Sequence, residues 1–259
     1  MTSFDLTRIH RETSLRHVEY HDSVASTNQL ANELLPDLQS LCPALVLAAT
    51  QTAGRGRGTN SWWSSTGALT FSLVIDPAEL LLTSERLPLT SLAVGVAVRR
   101  VLAVMVPSGV ISVKWPNDIL LNEHKVCGIL TEQQAVNRRP LVIIGVGINA
   151  NNALDGAPDD VRQRATSLFD VTGDSVDLTV LLITVVKEIE IAVAELSAAS
   201  DTLLAELNRH SLLNGRVVTV QTGNDRRRGV CRGINESGEL LLQTDGGLES
   251  LISGTVMEW

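Results

Sequence analysis

The chain has 259 residues and a formal net charge of −8 at pH 7, long enough for one large domain or one domain with a small appendage. That acidity argues against a nucleic-acid or anionic-membrane footprint. The three cysteines, Cys42, Cys127 and Cys231, lie far apart without C-x-x-C spacing, so they read as reduced thiols in a cytoplasmic protein rather than a disulfide frame or zinc site.

The N-terminus is polar, with no apolar leader. The longest apolar stretches, Leu178 to Val186 among them, fall short of the ~20 residues a membrane-spanning helix needs. The five histidines are scattered without metal-ligand spacing, and no metal site is assigned to the protein.

In chain order, residues 1–16 form a polar lead-in. Val18 to His21 makes a short strand. Ser26 with Gln29 three residues later fits a capping box, opening a helix with Leu30, Leu34 and Leu35 at helical spacing and Pro36 as its stop. Ala44 to Ala49 reads as a buried strand that runs into Thr50-Gln51-Thr52-Ala53-Gly54-Arg55-Gly56-Arg57-Gly58. Alternating glycines bare the backbone and two arginines add fixed charge, a combination suited to a phosphate or to an ordinary solvated loop.

Ala68 to Ile75 is a central strand ended by Asp76-Pro77, and Leu89 to Met105 a long apolar helix. Ile111 to Trp115 is a strand, and Asn117-Asp118 turns the chain. Ile119 to Leu121 and Lys125 to Leu130 form a hairpin around Asn122-Glu123-His124. Strand alternation puts Lys125, Cys127 and Ile129 on one face and leaves Gly128 bare on the other. Leu141 to Val146 is a buried strand leading into a Gly145-x-Gly147-x-Asn149 turn. Asn151 to Arg164 is a surface loop, and Leu178 to Leu196 and Leu203 to His210 are helices. From Gly215 the pattern changes to short alternating strands, a small barrel-like β module. The expectation is an α+β protein with a larger domain over 1–210 and an all-β domain over 211–259.

Four stretches carry chemistry in a fixed order: Ser26-Thr27-Asn28; Gln51 to Arg57 followed by Trp62; Lys114-Trp115-Pro116-Asn117-Asp118 with Lys125 and Gly128; and Gly145-Val146-Gly147-Ile148-Asn149. Together they resemble the biotin protein ligases (biotin–acetyl-CoA-carboxylase ligases), from about Val18 to the C-terminus. The resemblance implies a mixed central sheet flanked by helices, of the class II aminoacyl-tRNA synthetase-like kind, with an SH3-like C-terminal β-barrel. Some members carry an N-terminal DNA-binding domain; here the signature begins too early to leave room for one.

The resemblance further implies two reactions. The biotin carboxylate attacks the α-phosphorus of ATP to give biotinyl-5′-AMP and pyrophosphate, with Mg²⁺ on the triphosphate. A lysine of the biotin carboxyl carrier domain of acetyl-CoA carboxylase, or a related carboxylase, then attacks the anhydride. Lys125, Arg57 and Asp118 are the catalytic candidates, Asp118 being equally a turn-forming residue. Biotin would meet Ser26, Thr27, Asn28, Gln51, Gly54, Arg55, Gly56, Arg57, Lys125 and Gly128. ATP would meet Arg55, Arg57, Trp62, Lys114, Asn117, Lys125 and Asn149. A homodimer is possible.

One departure stands out: the loop continues as Gly58-Thr59-Asn60-Ser61-Trp62, without the later arginine of many bacterial members, which puts nucleotide affinity in question. Two other readings compete. A lipoate or octanoate ligase would share the fold, although Gln51 suits a ureido ring better than a fatty chain. A non-catalytic biotin binder would not need both Lys125 and Arg57.

Overall fold

The computed structural model describes residues 4–198 and 201–259; the first three residues of the lead-in lie outside that range. The elements, in order, are α1 (Leu6–Glu12), β1 (His17–Val24), α2 (Thr27–Leu38), β2 (Ala44–Gln51), β3 (Leu69–Ile75), α3 (Thr90–Met105), β4 (Ile111–Lys114), β5 (Asp118–Leu121), β6 (His124–Val136), β7 (Arg139–Ile148), α4 (Asp159–Arg162), α5 (Leu168–Thr172), α6 (Leu178–Ala198) and α7 (Asp201–Arg209), then β8 (Val217–Thr222), β9 (Asp225–Ile234), β10 (Leu240–Thr244), β11 (Gly247–Leu251) and β12 (Thr255–Glu258). Seven strands make one sheet in the order β1-β2-β3-β7-β6-β5-β4. Only β1 and β2 run parallel, joined by α2 as crossover. The result is the mixed α+β architecture that the periodicities predict.

The two faces of this sheet have different work. On β3, Leu69, Phe71, Leu73 and Ile75 alternate toward the main core, and on β7 Val142, Ile144, Val146 and Ile148 do the same. α3 and α6 cover that face. Segment 87–105 is long and apolar enough by length and composition to cross a bilayer, contrary to the expectation that no stretch would be; most of it is buried in this core. The opposite face carries a second cluster, in which Ala31, Leu35 and Leu38 of α2 pack on Ala44, Val46, Val74, Leu141 and Ile143. α2 lies over β2, β3 and the first half of β7 on that face. Beyond it the inward positions of β7 and β6 are Gly145, Gly147 and Gly128, with Gly128 paired directly to Gly147. A shallow floor without side chains results.

Several local expectations are corrected. Pro36 does not stop α2, which continues to Leu38; it sits in the last turn, and the one bond it removes, to the Asn32 carbonyl, leaves the rest of the helix intact. Ser26 accepts from Gln29 N at 3.5 Å, but the Gln29 side chain turns to Glu33 instead of back to the cap, so the box is only half made. Gly145 and Gly147 lie within β7 rather than in a turn. The supposed loop before residue 164 contains α4, and α5 was unforeseen, as was the fifth C-terminal strand, β12.

The most consequential correction concerns Lys125. Ile119 pairs with Cys127 while Leu120 pairs with Lys125, so Val126 is an extra residue in β6. This bulge re-phases the strand. Cys127 and Ile129 face the main core, but Lys125 emerges on the side of Gly128, where a Cβ would lie 3.2 Å from Lys125 Nζ. The lysine therefore does not share a face with two apolar residues.

The C-terminal sheet, ordered β11-β10-β9-β8-β12 and antiparallel throughout, has the form of an SH3-like domain. Its interior residues Val218, Val220, Leu240, Leu242 and Val256 belong to the same buried cluster as the large domain. Trp115, fully buried, donates from Nε1 to Gly238 O at 3.0 Å. Asn208 exchanges two hydrogen bonds with the Ile234 backbone.

Gly145 is the position where the floor is least forgiving, since a Cβ there would overlap the Asn28 amide. The Gly145→Ala variant should lose about 2 kcal/mol of stability, the usual scale of overpacking. Urea unfolding followed by circular dichroism measures it.

Candidate active site

A cleft of about 740 Å³ opens on the uncovered half of the sheet. Its floor is the glycine triad with Trp62 laid across it. A Cβ at Gly147 would collide with the Trp62 indole, and one at Gly128 would lie 3.2 Å from Trp62 Cζ3. Nε1 of that indole is buried and unpaired among the described residues.

The segment that delivers Trp62 is a tight hairpin. Gly56 N donates to Asn60 O at 2.8 Å and Trp62 N to Gly54 O at 2.8 Å, with Gly58 at positive φ at the tip. Gly54 is needed for close approach, since a Cβ there would strike the Trp62 backbone, and one at Gly56 would press on Asn60 at 3.2 Å. Asn60 closes the turn by donating from Nδ2 to Arg57 O at 3.0 Å. The residue that replaces the absent arginine is thus a structural staple of the hairpin.

One end of the cleft is polar and neutral. Thr27 donates to Gln51 Oε1 from its backbone nitrogen at 2.7 Å and from Oγ1 at 3.2 Å. Gln51 has therefore spent its carbonyl, and its amide N–H₂ is the group left for a ligand, rather than both halves of the amide. Asn28 is saturated. It donates to Glu132 Oε2 at 2.8 Å and to Leu130 O at 3.2 Å, and Ser72 Oγ lies 2.6 Å from its Oδ1. Ser26 is buried as the cap of α2. Of this trio, Asn28 and Ser26 build the wall and Thr27 orients Gln51. Arg55 is exposed and clamped on Glu132 at 3.0 and 3.3 Å.

The other end is cationic. Lys125 Nζ lies 2.6 Å from Asp118 Oδ1 and 5.7 Å from the centroid of the Trp62 ring. Arg57 reaches across to donate to the carbonyl of Gly254, in the loop before β12; burial presses its pKa down, with Asp118 opposing. Lys114 lies over Trp259, 3.5 Å from the ring centroid. Burial pushes the Lys114 pKa down to about 8, partly offset by Asp118, while Lys125 and Arg164 add to the lowering. Asn117 is held by donating to Ile129 O at 2.7 Å. Four cations, Arg57, Lys114, Lys125 and Arg164, line the cleft here with two carboxylates that are already paired, Asp118 and Glu123, so the excess charge is positive.

The cleft thus gathers all the sequence-selected residues except two. Gly54 is buried behind the Trp62 backbone, and Asn149 lies under the sheet end, its amide fixed by Thr166 O and Asn152 at 3.1 and 3.2 Å. Sequence reasoning missed Glu132, Ser72, Arg164, Val256 and Trp259. Glu132 was reachable, being on the same strand face as Gly128 and Leu130 by simple alternation. Trp259 was not, because only the packing of the second sheet brings it here. No group of three His, Cys, Asp or Glu side chains gathers for a metal among the described residues. The cysteines are buried thiols, with burial raising Cys42 to about 11 and pushing Cys127 and Cys231 up as well, so none is a nucleophile at neutral pH.

Residues 20–149 match the family model described as the biotin/lipoate A/B protein ligase family, and residues 214–257 match the biotin protein ligase C terminal domain. The chain therefore belongs to the biotin/lipoate protein ligase family. Within it, the chain is an enzyme of the biotin protein ligase class. It is 34% identical to the bifunctional ligase/repressor BirA of Bacillus spizizenii over 93% of this chain and 74% of that protein. It is 31% identical to the biotin–[acetyl-CoA-carboxylase] ligase of Paracoccus denitrificans over 89% of this chain and 96% of that one. The biotin protein ligase of Aquifex aeolicus in complex with biotin and ATP superposes with a TM-score of 0.80 at 28% identity, covering 94% of this chain and 100% of that chain.

Lys114 is a charge held at a cost to the ligand-free fold. Below pH 8 folded and unfolded chains both carry the proton, and the folded one bears the whole penalty. Between 8 and the usual 10.5 the folded chain has released it, and wild-type stability rises with pH. The Lys114→Met variant should accordingly be more stable than wild type at pH 7 by about 2 kcal/mol, with the gap closing toward pH 10.5. Thermal melts across that range decide it.

Proposed function

We propose that the chain activates biotin with ATP and transfers it to a lysine of a biotin carboxyl carrier domain. The observation that carries this reading is the division of the cleft, neutral donors at one end and unneutralised cations at the other. Biotin has the same division: a ureido ring that carries no charge, and a carboxylate at the end of an aliphatic chain. With the ring against Gln51 and the thiophane and chain over Trp62 and the bare glycines, the carboxylate falls beside Lys125.

In the first step a carboxylate oxygen attacks the α-phosphorus, the P–O bond to the β-phosphate breaks, and pyrophosphate leaves. Lys125 and Arg57 stabilise the charge that grows on the α-phosphoryl oxygens. Lys125 acts as a point charge and Arg57 as a planar fork. Lys114 and Asn117 face the remaining phosphates. In the second step the neutral amine of the acceptor lysine attacks the acyl carbon, the C–O bond of the mixed anhydride breaks, and AMP leaves with its electron pair. Asp118, held by Lys125, is placed to orient the incoming ammonium and take its proton.

Mg²⁺ fits as a passenger on the triphosphate rather than a resident ion. Such an ion needs only one or two carboxylates from the protein, and Asp118 is the one on the cationic wall. Bound there it would neutralise phosphate charge. The hairpin of residues 54–62 shelters the acyl-adenylate from water. The buried, protonated thiols suit the reducing conditions of a cytoplasm.

ATP–pyrophosphate exchange with biotin, lipoate or octanoate as the only variable tests the reading. Exchange is expected with biotin alone; exchange with a fatty acyl acid instead would transfer the chain to the lipoate side of the family. The Lys125→Ala variant should slow exchange by about 10²- to 10³-fold with an unchanged circular dichroism spectrum. An unimpaired variant would remove Lys125 from the chemistry.

A further inference from the structure

Lys114 has no carboxylate partner among the described residues. Its register partner across the edge hairpin, Asp118, contacts Lys125 instead. β4 is the last strand of the sheet, its outer edge bridged at Val113 by the backbone of residues 210–212. What holds the ammonium comes from the C-terminal sheet: the indole of Trp259, 3.5 Å away at the centroid, and the carbonyl of Val256 at 3.5 Å. Trp259 and Val256 both line the cleft.

We propose that Trp259 is a positioning residue for the ligase reaction, holding the Lys114 ammonium in the cationic end of the cleft for the phosphates of ATP. The proposal rests on the reading of Lys114 as a nucleotide-side cation. Its physical logic is that an aromatic face attracts a cation without cancelling its charge. A carboxylate in the same place would bind Lys114 more firmly, but it would neutralise the ammonium and compete with the incoming phosphate. An indole fixes direction and leaves the N–H donors and the full charge available. It also makes the second domain part of the first domain's site.

The test is exchange kinetics with the full chain, varying MgATP at saturating biotin. Trp259→Leu should raise KM for MgATP by about tenfold and leave kcat and the KM for biotin near wild type. Trp259→Phe, which keeps a π face, should recover most of the loss. Lys114→Met should raise the same KM, and the double variant Trp259→Leu/Lys114→Met should be no worse than Lys114→Met alone, since the tryptophan acts through the lysine. If Lys114→Met leaves KM for MgATP unchanged, the nucleotide-side reading of Lys114 fails and takes this inference with it. If Lys114→Met is impaired but Trp259→Leu is not, or if the two losses multiply, the inference alone is overturned.

A measurement on the wild-type chain does not depend on how the variants fold. Ring current from Trp259 should shift the Lys114 ε-CH₂ protons upfield in a ¹H–¹³C spectrum, in a resonance that Lys114→Met deletes. Absence of any such resonance overturns the proposal.

Discussion

The site depends on what three strand positions lack. Gly128 and Gly147 face each other across β6 and β7, and Gly145 lies two residues along. A Cβ at Gly147 or Gly145 would overlap Trp62 or Asn28, and one at Gly128 would press on Trp62 and Lys125. Those two residues in turn position everything else. Trp62 is the platform beneath Lys125 and the anchor of the hairpin, and Asn28 joins α2, Ser72 and Glu132 into one network. A glycine pair inside a buried strand is ordinarily a weakness, giving up packing and conformational restriction. Here the lost packing is recovered by an indole and an amide that arrive from other segments.

Charge is organised on the same frame. The large domain alone supplies Lys125, Arg57 and Lys114, but two of the three are tied to the C-terminal domain, Arg57 through the Gly254 carbonyl and Lys114 through Trp259. Both of these cations are held against the preference of burial for a neutral group. On the proposed function, the attraction of this site for a polyphosphate would come from leaving charge unpaired in a partly dry place, which the fold tolerates because tertiary packing elsewhere is extensive.

Much of this was legible in the chain. Periodicity placed nearly every strand and helix, because the central strands are buried on both sides and α3 and α6 are apolar over most of their lengths. The ordered motifs located the cleft. What was not legible had definite causes. The phase of Lys125 depends on one unpaired residue, Val126, and two-residue alternation has no means of anticipating it. The role of Gln51 was half right, since the partner that consumes its carbonyl, Thr27, lies 24 positions away. Asn149 resembled a site residue by its place after a glycine pair, yet its amide is engaged beneath the sheet. Trp259 and Arg164 reach the cleft through contacts that no local pattern encodes.

The extra residue in β6 has an implication for how this protein can change over time. Substitutions around the hairpin alter a side chain and leave its neighbours in place. Removing Val126 would restore strict alternation and leave Lys125 two positions from Gly128, still on the cleft face, so the ribbon can lose its bulge and keep this lysine in place. One further residue between Lys125 and Gly128, taken up by alternation and not by widening the bulge, would turn the lysine into the apolar interior, where an unpaired ammonium is intolerable. The ribbon is therefore more tolerant of shortening than of lengthening. Among related chains, the stretch between His124 and Gly128 should vary by loss of the bulge residue more readily than by gain of another.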